Sequence, residues 1–195
     1  MKVVLASTSP YRRELFARFG LPFNQLAPDV DECPRAGEPP SALAARLSEA
    51  KARALLQRCP DALIIGSDQT AVCGSLRLGK PGDFATARAQ LRHLSGQTAH
   101  FYTAVTVLNA TSGKAASRTV VTEVVFRTLA PAEIDRYLER EQPYDCAGSF
   151  KVEGLGIALF KALRSDDPTA LIGLPLIQLR ELLAEFGVDV VTDRR

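Results

Sequence analysis

Hydrophobic and polar positions alternate along the chain in blocks that predict a succession of strands and helices. Lys2–Ala6 is a short apolar run, read as a buried strand. Ser9-Pro10 then marks a helix start, with serine as the cap and proline at the first helical position. That helix runs through Leu15, Phe16 and Phe19 to Gly20, a glycine suited to the turn beyond a helix end. Residues 21–27 predict a second strand, and the proline-rich, acidic residues 28–40 a loop. Leu43, Leu47, Ala50 and Ala54 recur at helical spacing, which predicts a helix from residue 41 to about residue 59. Residues 62–65 are wholly apolar and predict a central strand buried on both faces, ending in Gly66-Ser67-Asp68-Gln69. A strand-like stretch at 70–73 and a turn at 79–82 follow, then a helix over 84–94 closed by Ser95-Gly96. Residues 100–108 and 119–126 are β-rich and flank the turn residues 109–114, a long hairpin. Helices are predicted over 131–141 and 174–186, a glycine-punctuated segment over 147–156, and a last strand over 188–191. Together these elements predict an α/β (α+β) sandwich: a mixed, elongated β-sheet with helices packed around a central substrate cleft.

Composition narrows the function classes. At 195 residues, with 46% apolar and 24% charged positions, the chain can bury a core without staples. One domain over residues 1–195 is expected, with two lobes flanking one cleft. No apolar run approaches the ~20 residues of a membrane span, and the opening residues lack the apolar stretch of a signal peptide. With 24 Lys and Arg against 22 Asp and Glu, the net charge is +2. That balance argues against a stable nucleic-acid partner, while leaving room for local basic clusters that hold a small anion. The four cysteines, Cys33, Cys59, Cys73 and Cys146, form no C-x-x-C pair, and only His93 and His100 could join them. A structural zinc site is not expected, and isolated thiols suit a reduced cytoplasmic protein.

Several positions are candidates for chemistry. Ser7-Thr8-Ser9-Pro10-Tyr11-Arg12-Arg13 joins a strand end to a helix N-terminus, where free N–H groups and a partial positive charge favour phosphate. Arg12 and Arg13 stand at the wrong end of a helix for its dipole. A bound anion would offset that, although two solvated arginines on a hydroxyl-rich cap is the plainer reading. Asp68, at the expected C-terminal edge of a strand, suits a Mg²⁺ ligand or a base toward water, or merely a capped turn. Lys51 falls about 40° from Leu47 on the helical wheel at roughly 100° per residue, inside the apolar arc. An inward ammonium must snorkel, pair with a carboxylate, or meet a phosphate. Lys80, between Gly79 and Pro81, resembles a phosphate-positioning arm or a surface turn lysine. Glu32, in Asp29-Val30-Asp31-Glu32, could share a divalent cation with Asp68 or be solvated. The segment from Gly148 to Gly156 is neither a P-loop nor a dinucleotide fingerprint. There is no G-x-S-x-G elbow. Separate cations and separate carboxylates at loop edges suit phosphate chemistry, and composition and spacing go no further.

Taken together, the motifs resemble the Maf family of nucleoside triphosphate pyrophosphatases. The resemblance rests on Leu5-Ala6-Ser7-Thr8-Ser9-Pro10-Tyr11-Arg12-Arg13-Glu14-Leu15, Val30-Asp31-Glu32, Glu49-Ala50-Lys51-Ala52, Ile65-Gly66-Ser67-Asp68, Leu78-Gly79-Lys80-Pro81, Ala147-Gly148-Ser149-Phe150 with Glu153-Gly154, and Leu171-Ile172-Gly173-Leu174-Pro175. These motifs run in order over nearly the whole chain. Gln69 after Asp68, His100-Phe101-Tyr102-Thr103 and the stretch from Ala147 to Gly154 look like the branch acting on 7-methyl-GTP; the dTTP/UTP branch usually has threonine at the position of Gln69. Tyr11 departs from the tryptophan expected there, keeping a large aromatic.

The resemblance implies a cytoplasmic enzyme, often a homodimer, that uses a divalent cation (Mg²⁺ or Mn²⁺). It would cut between the α- and β-phosphates of a small nucleotide substrate. It implies Asp68 as proton acceptor, and Lys51 and Lys80 would neutralise phosphate oxygens. Ser7, Arg12 and Arg13 would hold phosphates, Tyr11, Gln69 and Glu153 would select the base, and Glu32 with Asp68 would hold the metal. Two rivals stand: the same reaction on dTTP or UTP, and a non-catalytic nucleotide- or nucleic-acid-binding regulator of cell division.

Overall fold

The computed structural model describes residues 2–192. Seven strands, β1 (Lys2–Ala6), β2 (Asn24–Leu26), β3 (Ala62–Cys73), β4 (Leu76–Leu78), β5 (Thr98–Asn109), β6 (Ala115–Phe126) and β7 (Phe160–Ser165), form one sheet. Its order is β2-β1-β3-β5-β6-β7, with β4 paired to β3. β1 runs parallel to β2 and β3, whereas β3–β4 and β6–β7 are antiparallel, so the sheet is mixed and open. The helices are α1 (Pro10–Ala17), α2 (Pro40–Arg53), α3 (Phe84–Leu94), α4 (Pro131–Glu141) and α5 (Leu176–Glu185).

The chain divides into two compact units. The first holds residues up to Gln69, Tyr102–Val120, and the chain from Asp167 onward; the second holds Thr70–Phe101 and Val121–Asp166. In the first unit, alternate residues of β1 serve two cores. Val3 and Leu5 join Leu63, Ile65, Leu15, Phe16 of α1 and Leu179, Leu182, Leu183 of α5. Val4 and Ala6 join Ile64 and Leu108 with Ala52 and Leu55. Burial on both faces is why these strands are unbroken apolar runs. In the second unit, Phe150 packs edge-to-face on Phe101, Phe126 and Phe160, with centroids 4.9–5.6 Å apart. There α3 and α4 are tied by a two-pronged Arg88–Asp135 pair at 2.6 and 2.8 Å.

Four expectations change. The break expected after Ile65 does not occur, and β3 continues through Gly66-Ser67-Asp68-Gln69 to Cys73. The polar atoms that suggested a loop are satisfied within the fold: Ser67 Oγ contacts Ala104 O at 2.8 Å and Gly173 O at 2.9 Å. α2 ends at Arg53, with 3₁₀-type bonds such as Leu55 N–H to Ala52 O carrying the chain on. The strand expected at 21–27 shrinks to three residues. Residues 188–191 form no strand; they lead into a turn at 190–192, where Val191 N–H donates to Asp189 Oδ1 at 2.9 Å. The edge strand β7 and the short β4 carry no strong apolar pattern and were not anticipated.

Candidate active site

The site starts with a close approach between a helix and a strand. Ala6, the last residue of β1, lies opposite Gly66 of β3, so Asp68 falls just past the point where β1 stops. α2 lies directly against Gly66: a Cβ there would come within 2.0 Å of Ser48 O and 2.9 Å of Ala52 N. Glycine inside a strand is the sequence signal for such an approach. The approach brings Lys51 onto Asp68, with Nζ 2.6 Å from Oδ1 and both residues only 7% exposed. The inward helical phase of Lys51 is thus met by a carboxylate. A second carboxylate, Glu32 Oε1, reaches the same ammonium at 2.6 Å from an exposed loop.

Arg12 completes the cluster electrostatically. It is half-buried, and its Nε donates to Gly173 O at 2.8 Å, the same oxygen that takes the Ser67 hydroxyl. Burial lowers the Arg12 pKa, and the nearby charges of Asp68 and Glu32 push it back up. Burial raises the Asp68 carboxyl above its ordinary value; Lys51 and Arg12 oppose that rise, and Glu32 adds to it. Asp68 is therefore a carboxylate held among cations in a partly dry setting.

Ser7 is buried at the end of β1. Its N–H donates to Leu26 O at 3.0 Å, and its Oγ accepts from Ser9 N–H at 3.1 Å. Ser9 caps α1 through Oγ and Arg12 N–H at 3.3 Å. Tyr11 is half-buried and Arg13 exposed on the first turn, which carries no acidic residue. Gln69 is held by its amide nitrogen, which lies 2.9 Å from Thr103 Oγ1, 3.0 Å from Ala170 O and 3.1 Å from Leu171 O.

Lys80 and Glu153 belong to the second unit, and both are exposed. Gln90 of α3 ties the turn bearing Lys80 to the glycine-punctuated segment. Its Nε2 donates to Gly79 O at 3.2 Å, and its Oε1 accepts from Ser149 Oγ at 2.8 Å. Ser149 is fully buried with a φ of +64°, a left-handed conformation that its hydroxyl bond helps to hold. Farther along, Lys151 N–H donates to the buried Tyr137 hydroxyl at 3.1 Å. The structure thus brings Asp68, Lys51, Glu32 and Arg12 together in the first unit, and builds the surroundings of Lys80 and Glu153 within the second. Sequence reasoning held Ser67 and Gly173 within motifs but gave them no role, and it missed Gln90, because all three act through partners distant in the chain; for Gln90 no local signal exists.

The family model for Maf-like proteins matches residues 2–186. The chain belongs to the Maf-like family. This Maf-like chain is similar to the 7-methyl-GTP pyrophosphatase of Thiobacillus denitrificans, 56% identical over 97% of this chain and 94% of that protein. It is likewise similar to the 7-methyl-GTP pyrophosphatases of Nitrosococcus oceani, at 54% over 97% and 95% of the two chains, and of Bordetella avium, at 52% over 96% and 94%.

A pyrophosphatase of this family generally uses a divalent metal. Among the described residues, no three His, Cys, Asp or Glu side chains gather into an all-protein cage. Glu32 and Asp68, the two carboxylates that share the Lys51 ammonium, are the hard oxygen donors that would hold such a cation. Among the described residues, no helix of this Maf-like chain is long and apolar enough to cross a membrane.

Proposed function

We propose that the chain hydrolyses 7-methyl-GTP to 7-methyl-GMP and diphosphate, removing a modified nucleotide from the pool. The observation that carries the reading is the buried Asp68–Lys51 pair, with Glu32 and Arg12 beside it, in a chain 52–56% identical over nearly its full length to proteins named for that activity. Water attacks the α-phosphorus, the bond from the α-phosphorus to the bridging oxygen breaks, and its electron pair leaves with diphosphate. Asp68 takes the proton of the attacking water. Arg12 and Lys51 neutralise phosphate oxygens, and Ser7 with the start of α1 holds a phosphate, with Arg13 at the rim. Glu32 and Asp68 would hold Mg²⁺ or Mn²⁺, which when bound screens the triphosphate and draws charge from the leaving group.

Lys80 and Glu153 keep the roles the family resemblance implies: phosphate neutralisation and base selection. Methylation at N7 gives the guanine a delocalised positive charge. Stacking of that cation on Tyr11 is worth about 0.5–2 kcal/mol, and Glu153 complements its charge. Gln69 selects through its carbonyl end, since its nitrogen is engaged. The family match over 2–186 supports the whole chain acting as one domain. Family resemblance supports a cytoplasmic homodimer, and the near-neutral charge supports action on free nucleotides rather than on long nucleic acid.

The test is a panel of 7-methyl-GTP, GTP, dTTP and UTP with the purified chain and Mg²⁺, with products identified by mass. Monophosphate and diphosphate from 7-methyl-GTP, at the highest kcat/KM of the panel, is expected. Preference for dTTP or UTP would overturn the substrate, and no cleavage of any nucleotide would overturn the reaction.

A further inference from the structure

The loop between β2 and α2 is exposed over most of its residues, yet it delivers Glu32 to a buried lysine at 2.6 Å. Bonds within the loop close small turns: Cys33 N–H donates to Asp31 Oδ1 at 2.9 Å, and Arg35 N–H to Glu38 Oε2 at 3.0 Å. These do not attach the loop to anything else. Arg58 Nη1 reaches Ala27 O at 3.3 Å, at the start of the loop and well before Glu32.

The attachment next to Glu32 is Arg46, on the same helix as Lys51. Its Nε donates to Glu38 Oε1 at 2.6 Å and its Nη2 to Glu38 Oε2 at 2.8 Å. The same Nη2 donates to Cys33 O, the residue after Glu32, at 3.0 Å. One guanidinium therefore grips the loop at two places around its proline- and glycine-containing bend. A two-pronged charged contact is the geometry in which arginine is strongest, and a lysine, a point charge, keeps only part of it. We infer that Arg46, with Glu38, is a positioning residue that holds Glu32 beside Lys51 and Asp68. Through Glu32 it sets the affinity of that carboxylate pair for a divalent cation. The inference rests on the reading of Glu32 as a cation ligand.

The experiment uses the full chain and Mn²⁺ alone, with free Mn²⁺ followed by electron paramagnetic resonance and amide exchange followed over residues 28–39. Arg46→Met should weaken Mn²⁺ binding about tenfold, as loss of a residue supporting a metal ligand typically does. It should speed exchange in the loop, and raise the KM for Mn²⁺ while kcat at saturating Mn²⁺ stays near wild type. Arg46→Lys should fall between the two. Glu38→Gln breaks the same pair from the loop side and should reproduce these changes, which covers a poorly folding Arg46 variant. Added to Glu32→Gln, Arg46→Met should have no further effect on Mn²⁺ affinity. Equal weakening with and without Glu32 would overturn the inference, as would unchanged affinity and loop exchange in both single variants. If Glu32→Gln itself binds Mn²⁺ like wild type, the ligand reading fails first, and the inference with it.

Discussion

Asp68 and Lys51 form a pair in which each residue explains the other. Removing Lys51 strips the buried Asp68 carboxylate of its hydrogen-bonded cation, the costly case for buried ions, whereas Lys51 without Asp68 keeps Glu32. Asp68→Asn keeps the shape and removes the base. Nucleotide binding should persist while diphosphate release is lost, as measured by equilibrium binding beside turnover; full activity in this variant would remove Asp68 from the mechanism. Burial raises the Asp68 carboxyl, so it stays protonated to higher pH than a solvated aspartate, and kcat/KM should fall on the acid side above the ordinary aspartate range. Arg12 holds that pKa down, so Arg12→Gln should move the acid limb of the pH–rate profile to higher pH. A limb that moves the other way, or not at all, would break the electrostatic account. Lys51 was legible in the sequence because helical phase alone turns it inward. Asp68 was legible as a candidate, but its setting inside a strand was not, since Gly-Ser-Asp-Gln has the composition of a turn and only distant partners such as Gly173 satisfy it.

Among the elements, the contact of α2 with β3 decides whether the pair forms. Gly66→Ala drives a methyl group into Ser48 O, and overpacking of this kind costs about 1–3 kcal/mol. The variant should melt lower, and its turnover should fall more than stability predicts, because α2 carries Lys51 away as it shifts. Retained activity beside a lowered Tm would show that the helix relaxes without moving Lys51. Gln90→Leu unties the turn bearing Lys80 from Ser149, and should raise KM for the triphosphate more than it lowers kcat. Glu38 is drawn down to about 2 by Arg46, so the grip on the loop is present above the ordinary glutamate range and lost only as pH falls through about 2. Mn²⁺ affinity should therefore show no Glu38 step between pH 5 and 8. Helices α1, α3 and α4 were legible to within a few residues because Ser9, Asp83 and prolines 10 and 131 mark their starts. β7 escaped because Phe160-Lys161-Ala162-Leu163-Arg164-Ser165 lies at a sheet edge, where no apolar alternation is enforced.

For the whole molecule, the near-zero net charge gives a direct expectation about partners. Binding to a long duplex should be weak at physiological salt, while nucleotide turnover should depend only mildly on ionic strength. A steep salt-dependent affinity for duplex DNA would favour a regulator over an enzyme. The mixed sheet followed from alternating strands and helices around an inserted hairpin, but which stretches of chain make up each compact unit did not. Each unit is drawn from separated stretches of chain, and a linear reading sees only neighbours.

The first unit gathers β1, α1 and α2 early in the chain but shares its core with Leu179, Leu182 and Leu183 near the other end. During synthesis, the face of this core made by Val3, Leu5 and Phe16 stays partly uncovered until α5 has left the ribosome. A message truncated before Leu176 would therefore yield a sticky fragment destined for chaperones and proteases rather than a half-active hydrolase.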